Sequence, residues 1–320
     1  MAIEDDAADK ARAIQDQQDR KDAAQAPKES DAAVQTGIDQ PAPPMSDQHL
    51  AKPGLEADMD QRPRFMADAY KGSGKLQGQV AIITGGDSGI GRAVAVLFAR
   101  EGADVAIIYL NEHVDAEETK RCIEAEGRRC ITIPGDVKDA HFCRQAVDGV
   151  VARWGNLDVL VNNAAFQEHA LSLLDLTEER FDETMRTNIY GYFHMAKAAL
   201  PHLKRGAAII NTGSTTGLKG SKNLLDYAAT KGAIHAFTMS LASNLIDQGI
   251  RVNAVAPGPV WTPLNPADRA PDDIAQFGAD TDMKRPAQPE ELSPAYVFLA
   301  SNVCSGYITG IVLPVTGSVG

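Results

Sequence analysis

Short runs of apolar residues alternate with segments of helical periodicity from Gly78 to the end of the chain. The runs are only a few residues long, as expected for strands buried on both faces of a sheet. The segments between them repeat apolar residues every three or four positions, which indicates amphipathic helices. This alternation is typical of consecutive β-α-β units. The pattern therefore predicts an α/β domain with a doubly wound, seven-stranded parallel sheet and helices on both faces.

The predicted elements follow one another without an internal repeat. The strands are expected at residues 80–84, 105–109, 130–133, 157–161, 207–211, 250–255 and 311–315. The helices are expected near residues 89–101, 115–126, 139–154, 178–203, 225–248 and 290–301. Residues 262–286 are rich in proline, aspartate and alanine, and we expect them to form a mobile lid over the site.

The N-terminal part of the chain differs in composition from this domain. Residues 1–48 contain eleven acidic and five basic residues, so we expect an acidic, disordered tail. Residues 49–75 place Met59, Phe65 and Tyr70 among prolines and charged residues, which favours an extended arm packed on the core. Residues 76–320 are then the single main domain, with the preceding residues as an N-terminal extension.

Charge and composition argue against nucleic acid as a partner and predict a soluble protein. The net charge is −12 and no basic stripe is visible, which argues against nucleic acid. The N-terminus has no apolar leader, and no run of apolar residues is long enough to span a membrane. The four cysteines show no paired spacing, which indicates reduced thiols. We therefore expect a cytoplasmic protein that does not bind membranes.

A glycine-rich loop joins the first predicted strand to the first helix. Its sequence is Thr84-Gly-Gly-Asp-Ser-Gly-Ile-Gly91, and the helix continues from Arg92. Glycines let the backbone turn tightly and approach a pyrophosphate, whose charge is met by the amides at the helix N-terminus. Four glycines in seven residues exceed what a plain turn needs. The loop therefore predicts a dinucleotide site.

Three further residues suggest an acid/base centre. Tyr227 and Lys231 are four residues apart in a predicted helix, so both side chains face the same side, one turn apart. A neighbouring ammonium favours the phenolate of a tyrosine, whose ordinary pKa near ~10 is too high for easy proton exchange at neutral pH. Ser214 follows the strand expected at residues 207–211. The spacing of tyrosine and lysine is common by chance, so its meaning depends on the other motifs.

Together these motifs resemble those of the short-chain dehydrogenases/reductases. The glycine loop, Asn162-Asn-Ala-Ala165, Asn188, Ser214, Tyr227 with Lys231, and Pro257-Gly258 occur in the order that this family shows. The resemblance covers about residues 76–318 and implies a Rossmann fold. The acidic extension and the sequence Leu225-Asp-Tyr-Ala-Ala-Thr-Lys231 resemble the bacterial branch named as general stress proteins or as glucose and ribitol dehydrogenase homologues.

The resemblance implies roles for four catalytic residues in an oxidoreductase that uses NAD or NADP. Tyr227 would be the general acid in carbonyl reduction and the general base in alcohol oxidation. Ser214 would hold the substrate oxygen, and Lys231 would lower the Tyr227 pKa and bind the nicotinamide ribose. Asn188 would hold a water that links Lys231 to solvent, although an asparagine in a helix also often bonds a neighbouring carbonyl. A small-molecule carbonyl compound or secondary alcohol, of sugar, polyol or aldehyde type, would be the substrate.

The cofactor contacts implied by the resemblance come from the strand ends. They are Gly85, Asp87, Ser88, Gly89, Ile90, Gly91, Tyr109, Leu110, Asn111, Asp136, Val137, Asn163, Ala164, Tyr227, Lys231, Pro257, Gly258, Val260 and Thr262. NADP requires a base near its 2′-phosphate, whereas the NAD ribose prefers a carboxylate. The stretch after Tyr109 has no base and offers Glu112, while Ser88 stands where many NADP enzymes have a basic residue. We therefore expect NAD to be slightly favoured.

The substrate pocket is expected from Ser214, Gln167, Thr216 and Trp261, with His169, Thr215 and Leu264 beside them. The seven histidines show no metal-ligand spacing, so we predict no catalytic metal. The family resemblance implies a homotetramer built on the helices near 178–203 and 225–248. Two alternatives stay open at this point. One is a reductase of the 3-ketoacyl type, and the other is a non-enzymatic dinucleotide sensor or interaction protein on the same fold.

Overall fold

The computed structural model describes residues 15, 17, 20, 21, 32–269 and 271–318. The chain divides into Met1–Ala33 and one compact unit, Val34–Gly320. Most of the predicted acidic tail lies outside the described residues, so its disorder stays a prediction. Among the residues that the structure describes, no helix has both the length and the apolar character that a membrane span requires. The cytoplasmic location also stays a prediction.

Seven parallel strands form one sheet in the order β3-β2-β1-β4-β5-β6-β7. They are β1 (Val80–Thr84), β2 (Asp104–Tyr109), β3 (Cys130–Pro134), β4 (Val159–Asn162), β5 (Ala208–Thr212), β6 (Arg251–Pro257) and β7 (Val312–Val315). Each predicted strand is present within about two residues of its expected bounds. The strand order reverses between β1 and β4, and the crevice outside the carboxyl ends of the strands at such a point is where doubly wound sheets bind ligands.

Ten α-helices lie in the part of the chain that the structure describes. They are α1 (Gly89–Arg100), α2 (His113–Ala125), α3 (Ala140–Trp154), α4 (Glu178–Met185), α5 (Gly191–Ala199), α6 (Thr216–Lys219), α7 (Leu225–Leu245), α8 (Pro271–Ala275), α9 (Pro289–Ala300) and α10 (Asn302–Ser305). A π turn, Arg186–Tyr190, joins α4 to α5 within the single helix predicted at 178–203. The predicted doubly wound Rossmann architecture is thus confirmed.

Two hydrophobic clusters cover the two faces of the sheet. Helices α1, α2 and α9 pack on one face, and α3, α5 and α7 on the other. The central strands β1, β2, β4, β5 and β6 are buried along their whole length, which explains why their sequences are mostly apolar. Both faces are therefore used for packing, and the strand ends are left to form a site.

A third, smaller cluster joins the N-terminal arm to the expected lid. Met45, Leu50 and Met59 of the arm pack with residues of the segment 261–277, namely Trp261, Ala267, Ile274 and Phe277. The apolar contacts of the arm thus begin within the stretch predicted as tail. The boundaries at 48 and 75 stay predictions, but the arm packs against the segment that we expect to form the lid.

Candidate active site

A cleft of about 380 Å³ lies at the carboxyl ends of the strands. Its walls come from the loops that follow six strands, β1 to β6, and from Pro53 and Gly54 of the arm. Nearly all of the residues predicted to bind a cofactor line it: Gly85, Asp87, Ser88, Gly89, Ile90, Tyr109, Leu110, Asp136, Val137, Asn163, Ala164, Tyr227, Lys231, Pro257, Gly258, Val260 and Thr262. Two of the predicted contacts, Gly91 and Asn111, do not line the cleft.

The glycine loop has the geometry that a pyrophosphate site needs. Gly85 has φ +61° and Gly89 has φ +50°, both in the region that favours glycine. A Cβ atom on Gly91 would lie 1.8 Å from the carbonyl oxygen of Gly85, so Gly91 allows the helix to start directly under the loop. The N-terminus of α1 faces the cleft at this point. The loop therefore fits a dinucleotide, as its sequence predicted.

Carboxylates surround the end of β2, where an adenosine ribose is expected in this fold. Asp87 and Glu112 both line the cleft beside Tyr109. Burial, and then the nearby charge of Glu112, raises the pKa of Asp87 to about 7. Lys138 also lines the cleft, but its Nζ atom pairs with Glu183 at 2.6 Å and with Asp136 at 3.4 Å. Above neutral pH this end of the cleft is thus negatively charged.

Another part of the cleft brings together Ser214, Tyr227 and Lys231. Ser214 follows β5, and Tyr227 and Lys231 lie in α7. The Nζ atom of Lys231 lies 5.2 Å from the centre of the Tyr227 ring and donates to the carbonyl oxygen of Thr212 at 2.8 Å. The Ser214 hydroxyl interacts with the Tyr227 phenol. The Ser214 oxygen also accepts hydrogen bonds from the Thr216 amide at 3.1 Å and the Thr216 hydroxyl at 3.0 Å. The three predicted groups are therefore brought together.

The electrostatics of this centre differ from the sequence-based expectation in one respect. Burial raises the pKa of Tyr227 well above its ordinary value, while the hydrogen bond with Ser214 opposes that rise and the charge of Asp268 adds to it. Burial also lowers the pKa of Lys231 to about 7. Lys231 was expected to lower the pKa of Tyr227, but desolvation of both side chains outweighs their proximity. Tyr227 is thus a neutral phenol at neutral pH.

The lowered pKa of Lys231 predicts a change of stability with pH. An unfolded lysine holds its proton up to its ordinary pKa of 10.5, whereas the folded one loses it near 7. Between these values the unfolded state binds more protons, so the free energy of unfolding rises with pH, by up to about 1.4 kcal/mol per pH unit. Chemical denaturation of the dinucleotide-free protein between pH 7 and 9.5 should show this slope, and Lys231→Met should lack it. Equal slopes in both proteins would contradict the assignment.

Asn188 lies in the π turn and is fully buried behind the centre. Its Oδ1 atom accepts from the amide of Phe166 at 2.8 Å, and its Nδ2 atom donates to the carbonyl oxygen of Phe166 at 2.9 Å and to Thr230 Oγ1 at 3.0 Å. Asn188 therefore fixes the backbone of the loop after β4. It does not line the cleft, so its predicted role in holding a water stays a prediction.

The predicted substrate residues divide into two groups. Ser214, Gln167 and Thr216 line the cleft, as do Thr215 and Leu264. Trp261 does not, because it is buried against the arm and its Nε1 atom donates to the carbonyl oxygen of Gln61 at 2.7 Å. The prediction of Trp261 as a cleft residue was therefore wrong. Asn265 and Phe277 line the cleft instead.

An acidic group and a histidine lie beside the substrate end. Asp268 is buried and accepts hydrogen bonds from the side chain of Gln167 at 2.5 Å and from the backbone amide of His169 at 2.7 Å. The His169 ring lies 2.9 Å from the same carboxylate. Glu168, close by, pairs with Lys52 of the arm at 2.9 Å. Asp268 thus links the loop after β4 to the segment over the cleft, a contact that the sequence did not predict.

A second group that the sequence did not predict supports the glycine loop. Glu56 of the arm is fully buried, and its Oε2 atom accepts a hydrogen bond from the Gly89 amide at 2.7 Å. Its Oε1 atom accepts from Arg92 Nη1 at 2.6 Å. Arg92 also pairs with Asp115 at 3.3 Å and Glu118 at 3.1 Å. No local pattern signals these contacts, because Glu56 and Gly89 are far apart in sequence.

Comparison with known proteins agrees with this fold. Residues 85–318 match the family model described as enoyl-(acyl carrier protein) reductase. The oxidoreductase YhdF of Bacillus subtilis (strain 168) is 56% identical over 266 residues, which cover 83% of this chain and 92% of the relative. The NADPH-dependent aldehyde reductase 1, chloroplastic, of Arabidopsis thaliana is 49% identical over 273 residues, or 83% and 95% of the two chains.

Two solved structures show the same architecture with a dinucleotide. A short-chain dehydrogenase from Burkholderia cenocepacia J2315 in complex with NADP has a TM-score of 0.71 and 37% identity, covering 76% of this chain and 98% of its own. One from Mycobacterium paratuberculosis bound to NAD has a TM-score of 0.69 and 32% identity, with the same coverage. The chain therefore belongs to the short-chain dehydrogenase/reductase family of oxidoreductases.

Proposed function

We propose that this protein is an NAD(P)-dependent oxidoreductase that interconverts a small carbonyl compound and the corresponding alcohol, with Tyr227 as the general acid and base. The observation that carries the proposal is the meeting of Ser214, Tyr227 and Lys231 in one cleft with the glycine loop. A dinucleotide, when bound there, supplies or accepts the hydride. The dinucleotide loop and the acid/base centre thus serve a single reaction.

The protein side chains supply proton transfer and positioning. The Ser214 hydroxyl, beside the Tyr227 phenol, would hold the substrate oxygen, and Tyr227 would protonate that oxygen during reduction. The raised pKa keeps Tyr227 protonated at neutral pH, which is the form that carbonyl reduction requires. Lys231, held by the carbonyl oxygen of Thr212, would bind the ribose next to the nicotinamide. Alcohol oxidation needs the phenolate, so its rate should rise with pH, whereas the rate of reduction should not.

The residues around the centre favour a polar aldehyde, sugar or polyol as substrate. Gln167, Thr216 and Asn265 place polar groups in the cleft, whereas Phe277 and Leu264 supply apolar walls. The Arabidopsis relative is named as an aldehyde reductase, which supports the same substrate class. The test is a screen of aldehydes, sugars and polyols against NAD(H) and NADP(H) in parallel. Absence of turnover with every carbonyl and alcohol of these classes would contradict the proposal.

We propose that NAD is preferred, because Asp87 and Glu112 make the ribose end of the cleft acidic. A 2′-phosphate there would meet two carboxylates above pH 7. The double substitution Asp87→Asn with Glu112→Gln should raise kcat/KM for NADP(H) relative to NAD(H) by about tenfold or more, since it removes both like charges. Kinetics with both dinucleotides at pH 8 measure this ratio. An unchanged ratio, or a wild type that prefers NADP(H), would overturn the preference.

An exposed apolar surface supports assembly into a homo-oligomer, for which we propose a tetramer. Tyr190 and Phe193 at the junction of the π turn and α5 are 54% and 44% exposed, and Met239 of α7 is 51% exposed. Beside them a groove is lined by Ile189, Tyr190, Tyr192, Phe193, Ile234 and Phe237. Apolar area of this kind usually marks a protein interface. Sedimentation equilibrium would detect the assembly, and a monomer at micromolar concentration would contradict it.

A further inference from the structure

One short stretch of the arm contacts three of the loops that form the cleft. Lys52 Nζ donates to the carbonyl oxygen of Gln167 at 2.7 Å, in the loop after β4. Gly54 lies so close to the loop after β6 that a Cβ atom on it would be 2.8 Å from the Pro263 carbonyl oxygen. Glu56 accepts from the Gly89 amide in the loop after β1. Residues 52–56 therefore contact loops that follow three different strands of the sheet.

Glu56 both accepts hydrogen bonds from the core and donates one to it. Its two carboxylate oxygens accept from Gly89 and Arg92, while its own backbone amide donates to Asp115 Oδ2 at 2.6 Å. Asp115 Oδ1 accepts from the next arm amide, that of Ala57, at 3.0 Å. Glu56, Arg92 and Asp115 are all fully buried. A buried carboxylate with every oxygen used has a fixed position, so it can fix the groups bonded to it.

The contact of Glu56 with Gly89 is not needed merely to attach the arm, because the arm is also bound to the core elsewhere. At the other end of α1 the buried carboxylate of Glu101 accepts from the Tyr70 hydroxyl at 2.5 Å and from the amides of Ser73 and Lys75 at 3.0 and 2.8 Å. That group ties the arm to the core far from the cleft. The contact of Glu56 with Gly89 is made at the N-terminus of α1, where the dinucleotide loop ends.

We propose that residues 52–56 form a permanent wall of the dinucleotide site and that Glu56 is a positioning residue. Glu56 holds the Gly89 amide and Arg92, so that the glycine loop is ordered before the dinucleotide binds. A loop ordered in advance costs less to organise on binding, which raises affinity. The proposal rests on the dinucleotide use proposed above. It extends that use by making the N-terminal arm part of the binding site.

The substitution Glu56→Gln tests this role in the full-length protein. A carboxylate accepts from both Gly89 and Arg92, but an amide has one acceptor oxygen and must turn its NH₂ group toward one of the two donors. We expect the Kd for NAD(H) and NADP(H), measured by calorimetry without substrate, to rise by about tenfold, because one charge-assisted hydrogen bond to the loop is lost. Amide hydrogen exchange of residues 85–91 should become faster in the dinucleotide-free protein. If Glu56→Gln does not fold, Glu56→Asp, which keeps the charge but is one methylene shorter, is measured in its place.

Tyr70→Phe is the matched control on the same arm. It removes the hydrogen bond to Glu101 and should lower the melting temperature while leaving the Kd and the exchange of residues 85–91 within about twofold of wild type. A folded Glu56 variant with wild-type or tighter dinucleotide binding and unchanged exchange would overturn the proposal, as would an equal loss of binding in Tyr70→Phe. If the wild-type protein binds neither dinucleotide, the proposed function fails, and the exchange of residues 85–91 still decides whether Glu56 orders the loop.

Discussion

Tyr227→Phe is expected to lower kcat by about a thousandfold or more, because the variant has no group to give a proton to the substrate oxygen or take one from it. The substitution removes one oxygen atom and leaves the ring in place beside Lys231, whose Nζ atom lies 5.2 Å from its centre. Apart from this oxygen the walls of the dinucleotide site are unchanged, so the Kd for the dinucleotide should change less than about threefold, or about 0.65 kcal/mol, which is near the lower end of what one hydrogen bond contributes. Steady-state kinetics and calorimetry measure the two quantities separately.

The effect on kcat distinguishes an enzyme from a dinucleotide-binding protein on the same fold. Tyr307→Phe is the control, since this fully exposed phenol lies outside the cleft and its loss should leave both kcat and Kd unchanged. Turnover by Tyr227→Phe at the wild-type rate would show that another group transfers the proton. Loss of dinucleotide binding in parallel with kcat would show that Tyr227 mainly supports the site's structure.

The sequence predicted the fold well because its main determinants are local. Strands buried on both faces are mostly apolar, and β1 and β2 have sequences of this kind. The glycine loop was equally visible, since positive φ values at Gly85 and Gly89 require glycine at those positions. Features of this type are determined by residues that are close together in the sequence, so a single sequence is enough to predict them.

The parts of the site that the sequence did not predict depend on contacts between distant segments. Glu56 lies in a polar stretch that looks like surface, and only the presence of Arg92 and the Gly89 amide makes its burial possible. Trp261 lies in the loop after β6, where no periodicity shows which way a side chain faces, and in the structure it packs against the arm and not in the cleft. The pKa of Tyr227 was misjudged for a related reason, because helix spacing gives the neighbouring charge but not the burial.

Gly91→Ala is expected to weaken dinucleotide binding by about a hundredfold or more. The new Cβ atom would lie 1.8 Å from the Gly85 carbonyl oxygen and 2.8 Å from Asn163 Nδ2. The first of these is a backbone atom in the turn itself, so the loop and the start of α1 must separate to make room. A displacement of this kind costs up to about 3 kcal/mol in a packed interior, which corresponds to roughly a hundredfold in Kd when it falls on the binding loop. Calorimetric titration with NAD(H) and NADP(H) measures the loss.

Gly149→Ala is the control, because it makes the same chemical change at a site where it should not weaken dinucleotide binding. Gly149 lies on the exposed side of α3, and nothing is within 4 Å of the position that its Cβ would take. Alanine is the better helix former by up to about 1 kcal/mol, so this variant should melt higher and bind dinucleotide as the wild type does. If Gly91→Ala is too unstable to titrate, Gly89→Ala imposes a milder strain at the same loop, since its Cβ would lie 3.0 Å from Thr262 Cγ2. Normal binding by a folded Gly91→Ala protein would mean that the loop over α1 does not hold the dinucleotide, and the cleft would then have to bind it through the ends of the later strands alone.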